Sequence, residues 1–124
     1  MKTSKAASAA GFTLVEIMIV VAIIGLLAAI AIPNFVEARA RSQANACINN
    51  LTKIEAASFQ FAIERGKRTG DDINYPRDLT PYIRLNAAGK IPPCPAGGGY
   101  EMEAVGDRPT CSLRSTVSPA HVLP

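Results

Sequence analysis

The pattern of apolar and polar positions changes twice along the chain. From Phe12 to Ile32 only Thr13, Glu16 and Gly25 interrupt the apolar side chains, about 21 residues against the ~20 a helix needs to cross hydrocarbon. After Pro33 the pattern turns periodic: Ala40, Ala44, Cys47, Ile48, Leu51, Ile54, Ser58, Phe61 and Ala62 recur mostly at spacings of three and four, which lays them along one helix face. Arg39, Arg41, Asn45, Asn49, Lys53 and Gln60 fall mostly elsewhere. Because the pattern resumes directly after Pro33, that proline predicts a kink rather than a stop. The stop is expected near Gly66 in ERGKRTG, where basic residues suit a helix C-terminus and glycine suits its cap.

From Thr69 onward prolines and glycines punctuate the chain, and loops with short elements are expected. Thr80-Pro81 offers an N-cap followed by proline at the first helical position, so PYIR predicts one short turn. In GGGYEMEAVGDRPTCSL, Tyr100, Met102 and Ala104 alternate with Glu101, Glu103 and Val105, and GDRP supplies a turn before a second strand near Thr110 to Leu113. The apolar face of this hairpin is expected to pack on the helix stripe. The fold class is therefore α+β: a long kinked N-terminal helix with an apolar half (12–33) and an amphipathic half (34–66), then a small C-terminal head (67–124) with a short antiparallel hairpin.

Hydrophobic residues make up 48% of the chain but aromatics only 6%, with no Trp, so the apolar content is aliphatic and concentrated in the first run. The remainder is small enough to need a covalent or other staple. Cys94 and Cys111 lie in the Gly/Pro-rich part, where a disulfide would close a loop of roughly 16 residues and contribute about 3 kcal/mol in the chain-entropy picture. Cys47, within the helical stripe, reads as a small buried hydrophobe.

Catalysis and ligands find little support. His121, the only histidine, sits in the tail SPAHVLP; no Cys/His set has zinc spacing, and no serine or cysteine has a base beside it. Neither a metal, a cofactor nor an enzyme is expected. Asp71, Asp72 and Asn74 read as solvated turn residues rather than a calcium loop, and Gly97 to Gly99 as loop residues rather than a phosphate cradle. Lys2 and Lys5 carry most of a formal net charge of +3, which leaves a nearly neutral body with no basic surface for nucleic acid.

Glu16 is the residue that composition does not explain, because a carboxylate in an apolar span costs a few kcal/mol unless it is partnered. An ordinary secretory signal, cut after Ala29-Ile30-Ala31 so that the chain starts near Ile32, leaves it unexplained. That reading also conflicts with an apolar run longer than the usual ~7–15 residues and with a helical pattern that continues past the cut. By contrast, GFTLVEIMIVVAIIGLLAAIAIPNF resembles the N-terminal signature of the type IV pilin and type II secretion pseudopilin family.

The resemblance implies a leader over residues 1–11, cut by a membrane-embedded prepilin peptidase between Gly11 and Phe12, with N-methylation of Phe12. Glu16 is then the family's assembly glutamate and Pro33 its kink-forming proline. A cut there creates a cationic amine at Phe12 with an ordinary pKa near 8, and Glu16, four positions on, lies on the same helix face. Whether the pair forms within a chain or between neighbours is left open by the residues, while the family implies a contact between subunits. The implied partners are the peptidase, copies of itself and other pilins in a filament, an inner-membrane assembly platform, and lipid before assembly. The implied location is the bacterial inner membrane, single-pass with a periplasmic head, then a periplasmic or surface filament. Three roles follow: a type IV pilus subunit, a pseudopilin of type II secretion, or an anchored head that never polymerises.

Overall fold

The structure is a computed structural model that describes residues 10–124; Lys2, Lys5 and most of the expected leader lie outside the described residues. Its first element is one helix, α1, Leu14–Arg65. Thr13 and Glu16 begin it. The Thr13 Oγ1 accepts from the Glu16 amide at 3.3 Å, while the Glu16 Oε2 accepts from the Thr13 amide at 2.8 Å, the reciprocal capping box that satisfies two otherwise orphaned donors. The helix is continuous through Pro33, although a proline there has no N–H to offer the carbonyl of Ala29. At the other end Gly66 takes a φ of 63° and the Lys67 amide reaches back to the Ala62 carbonyl at 2.8 Å. This is the Schellman closure expected of a glycine just past the last turn.

The chain divides into two compact units, one ending at Val36 and the other Glu37–Pro124. In the first, every large apolar side chain from Phe12 to Val36 is at least 50% exposed. In the second, α1 buries Ala44, Cys47, Leu51, Ile54, Ala57, Ser58, Phe61 and Ala62. The periodic stripe is therefore the core-facing one, joined by Ala57 and with Ala40 and Ile48 only half-buried. Ile73, Leu79, Ile91, Tyr100, Met102 and Val105 complete the core around it, and the Phe61 and Tyr82 rings meet edge-on with centroids 6.1 Å apart.

The hairpin is present but short. Strands β1, Tyr100–Glu101, and β2, Thr110–Cys111, pair antiparallel with Tyr100 opposite Cys111. Tyr100 and Met102 face inward as the alternation requires, but Val105, expected to face out, is buried while Ala104 is only half-buried. The cause is a second partner. Residues 70–73 run beside 103–105, with the Ile73 amide donating to Glu103 O, the Val105 amide to Asp71 O and the Gly70 amide to Val105 O, at 2.8 to 2.9 Å. This ladder takes over where β1 ends.

Thr80–Tyr82 is a single 3-10 turn with proline inside it. Thr80 does not cap it: its hydroxyl donates to the Arg77 carbonyl at 2.9 Å, and the capping position falls to Leu79. The disulfide expected between Cys94 and Cys111 is not formed; both are thiols, buried together with Cys47. The tail folds back rather than trailing, with His121 buried, Leu123 packed against the core and the Pro124 carbonyl accepting from Arg108 Nη1 at 2.8 Å.

Candidate functional site

Two places carry chemistry: the start of α1 and the sulfur-rich interior of the head. At the start, Gly11 and Phe12 precede the helix outside any regular element, both exposed, with Phe12 at 85%. A peptide bond outside any helix is open to a protease cleft. Glu16 stands in the first turn of α1, where a carboxylate also complements the helix dipole. The Phe12 nitrogen is a backbone amide here, and the Glu16 carboxylate accepts from the Thr13 amide. Sequence reasoning missed that contact, although the spacing Thr-x-x-Glu in TLVE was there to be read. The apolar residues that follow form a segment long enough to cross a membrane, none of it buried.

In the head the structure gathers residues that sequence spacing kept apart. Cys47 comes from α1, Cys94 from the turn after Ile91, Cys111 from β2 and His121 from the tail, and their ligand atoms all lie within 4.8 Å of one another. Each of the four is at most 3% exposed. The Cys94 Sγ is 3.2 Å from His121 Nδ1. The expected disulfide gives way to this four-way cluster, in which Cys94 and Cys111 have a third sulfur and an imidazole for neighbours.

The surroundings treat the thiols differently. Burial is the main influence on Cys47, pushing it up to about 12 against a hydrogen bond from the Tyr100 hydroxyl, which is itself held by Asn50 Nδ2 at 3.1 Å. Burial also opposes ionisation of Cys94, yet the amides of Ala96 and Gly98 and the thiols of Cys47 and Cys111 hold it below the ordinary thiol value. The turn that aims those amides is closed by the Gly97 N–H on the Cys94 carbonyl at 2.9 Å. Gly98 is needed for contact, since a Cβ there would stand 2.7 Å from the Cys111 sulfur.

The acidic residues behave as turn residues. Asp71 accepts from the Arg68 amide at 2.8 Å, and the Asn74 amide donates to Asp78 at 3.0 Å.

Comparison with known proteins finds a family motif at the start of the chain. Residues 7–32 match the family described as the prokaryotic N-terminal methylation motif. The chain is similar to the type IV major pilin protein PilA of Myxococcus xanthus, 53% identical over 57 residues, which is 46% of this chain and 26% of that protein. It is also similar to a fimbrial protein of Pseudomonas aeruginosa, 41% identical over 85 residues, 64% of this chain and 54% of that protein. The type IV major fimbrial protein FimA of Dichelobacter nodosus is 46% identical over 61 residues, 49% of this chain and 38% of that protein. The chain thus spans about half the length of these relatives or less. No solved structure matches it. With a methylation motif over residues 7–32 and this likeness to pilins and fimbrial proteins, the start of the chain resembles that of type IV pilins.

Proposed function

We propose that the protein is a structural subunit of a type IV pilus-like filament, with a packing role rather than a catalytic one. The observation that carries this reading is the unburied apolar half of α1 behind a methylation motif. Apolar side chains left in water on this scale forfeit about 25 cal/mol for every Å² kept from burial, so lipid first and sister helices afterwards are the surroundings that suit it. The precursor is anchored in the inner membrane with its head in the periplasm. Prepilin peptidase cuts between Gly11 and Phe12 and methylates the new amine, and an inner-membrane platform adds the subunit to the filament. In a dry filament core neither the Phe12 amine nor the Glu16 carboxylate is tolerated alone, so pairing them selects the correct register. Pro33, one backbone hydrogen bond short, is where α1 bends during packing.

The relatives are pilins and fimbrial proteins, which favours a pilus over the secretion pseudopilin. Mass spectrometry of the purified mature protein tests the processing: a methylated phenylalanine at Phe12 is expected, and a start near Ile32 or a retained leader overturns it. Glu16→Ala is expected to abolish filaments while leaving membrane insertion intact, and an unaltered filament count sinks the assembly role. Loss of surface filaments on deletion of the gene supports the pilus; intact filaments with trapped exoproteins support the secretion role instead.

A further inference from the structure

We propose that Cys47, Cys94, Cys111 and His121 form a tetrahedral site for one structural zinc ion that ties the head together. Three thiolates and one imidazole are the donor set of closed structural zinc sites, with Zn–S near 2.3 Å and Zn–N near 2.0 Å. In a tetrahedron such bonds set sulfur about 3.8 Å from sulfur and about 3.5 Å from nitrogen. The four ligand atoms lie within 4.8 Å of one another, with Cys94 Sγ 3.2 Å from His121 Nδ1, so adjustments of no more than about 1 Å bring them to the spacing that encloses an ion. Sulfur and imidazole donors in this arrangement select zinc over the oxygen-seeking magnesium and calcium.

The surroundings are built for ligation as well. Metal-bound sulfur is oriented by outer hydrogen bonds, and here the Ala96 and Gly98 amides serve Cys94 while the Tyr100 hydroxyl, backed by Asn50, serves Cys47. These donors offset the net negative charge that three thiolates and a dication leave in a dry interior. Gly98 leaves room for the Cys111 sulfur, which any side chain would displace. A disulfide between any two of the cysteines leaves one thiol and a buried imidazole with no role, whereas the ion uses all four residues.

The four ligands come from four separate segments. Binding therefore joins α1, the Cys94 turn, β2 and the tail at one point, in a head whose only named strands are two residues long among the described residues. Small domains with little regular sheet are those that gain most from a metal. On binding, the three thiols release their protons to solvent and the neutral imidazole donates through Nδ1, so uptake falls as pH falls.

The test uses the full chain purified in detergent from cells grown with zinc. Elemental analysis is expected to find about one zinc per chain, and intact mass spectrometry a fully reduced polypeptide. Iodoacetamide should label no cysteine until a chelator is added, then all three. Cobalt exchanged into the protein should show intense visible absorption with thiolate charge-transfer bands. His121→Ala removes one ligand while sparing the sulfurs, and is expected to weaken zinc retention against a chelator at least as much as the roughly 10- to 100-fold that loss of an outer partner costs. A polypeptide lighter by two hydrogens reveals a disulfide and overturns the proposal. So does a reduced chain with no bound metal, or a His121→Ala protein that holds zinc as tightly as the original. The readings on the unaltered chain decide the matter even if a variant fails to fold.

Discussion

Leu27 and Leu51 lie in the same helix, the first 63% exposed and the second fully buried. The contrast extends to their neighbours: before Val36 α1 is apolar all round and covers nothing, while beyond Glu37 its apolar residues form a stripe against a core. A helix that is apolar on every side calls for a low-dielectric environment on every side, and a stripe calls for one partner. In this protein the stripe finds its partner within the chain, and the uniform half must find its own outside. Hydrophobicity by itself therefore says where burial is needed, and periodicity says whether the fold supplies it.

The comparison breaks most sharply by substitution in the stripe. Leu51→Ala removes a fully buried side chain and is expected to cost the head about 2–5 kcal/mol, read by denaturant unfolding. The exposed Ile24→Ala in the same assay should stay within about 0.5 kcal/mol. Equal losses at the two positions would mean that the first half is buried in the isolated chain after all. Next comes Ile24→Lys, which places a charge near the middle of the apolar run and should weaken insertion by roughly 2.5–3.5 kcal/mol. The checks are partitioning between membrane and soluble fractions and a head unfolding midpoint that stays where it was.

Smaller effects sharpen the picture at the ends and in the head. Thr13→Ala deletes one arm of the capping box and should cost the first helical turn about 1 kcal/mol, measured as faster amide exchange at Val15 and Glu16 with the stripe unaffected. In the head, burial raises the Tyr75 phenol above its ordinary value, near 10. A raised acid favours folding in its neutral form, so its contribution is whole below about pH 10 and is lost as pH rises through the raised value. The unfolding midpoint should fall on the alkaline side, and Tyr75→Phe should flatten that fall. An unchanged slope would assign the titration to another group.

What could be read in advance divides along the same line. The buried stripe and the stop before Gly66 were legible because a 3.6-residue period and a glycine at a helix end are local signals. The spacing of Thr13 to Glu16 is equally local, but a charge in an apolar run is the louder signal at Glu16 and masks its capping role. The pairing of residues 70–73 with 103–105 was hidden, since so few residues leave no alternation to detect, and it turned Val105 inward against the pattern. The cluster of Cys47, Cys94, Cys111 and His121 lay beyond any spacing rule, because its members meet only after a helix, a turn, a strand and a tail have been placed. Cys94 and Cys111 read as a pair because both are cysteines in one Gly/Pro-rich stretch, and only the fold brings Cys47 and His121 beside them.

The capping box at the start of α1 has a consequence for the processing proposed above. Glu16 holds its first turn through the Thr13 amide, which gives the acid a neutral companion within the apolar segment. The proposed cut at Phe12 would set a positive charge beside the residue that acid already grips. Under that proposal the neutral tether would be exchanged for a charged one, and the severed bond would be what readies the subunit for its neighbours.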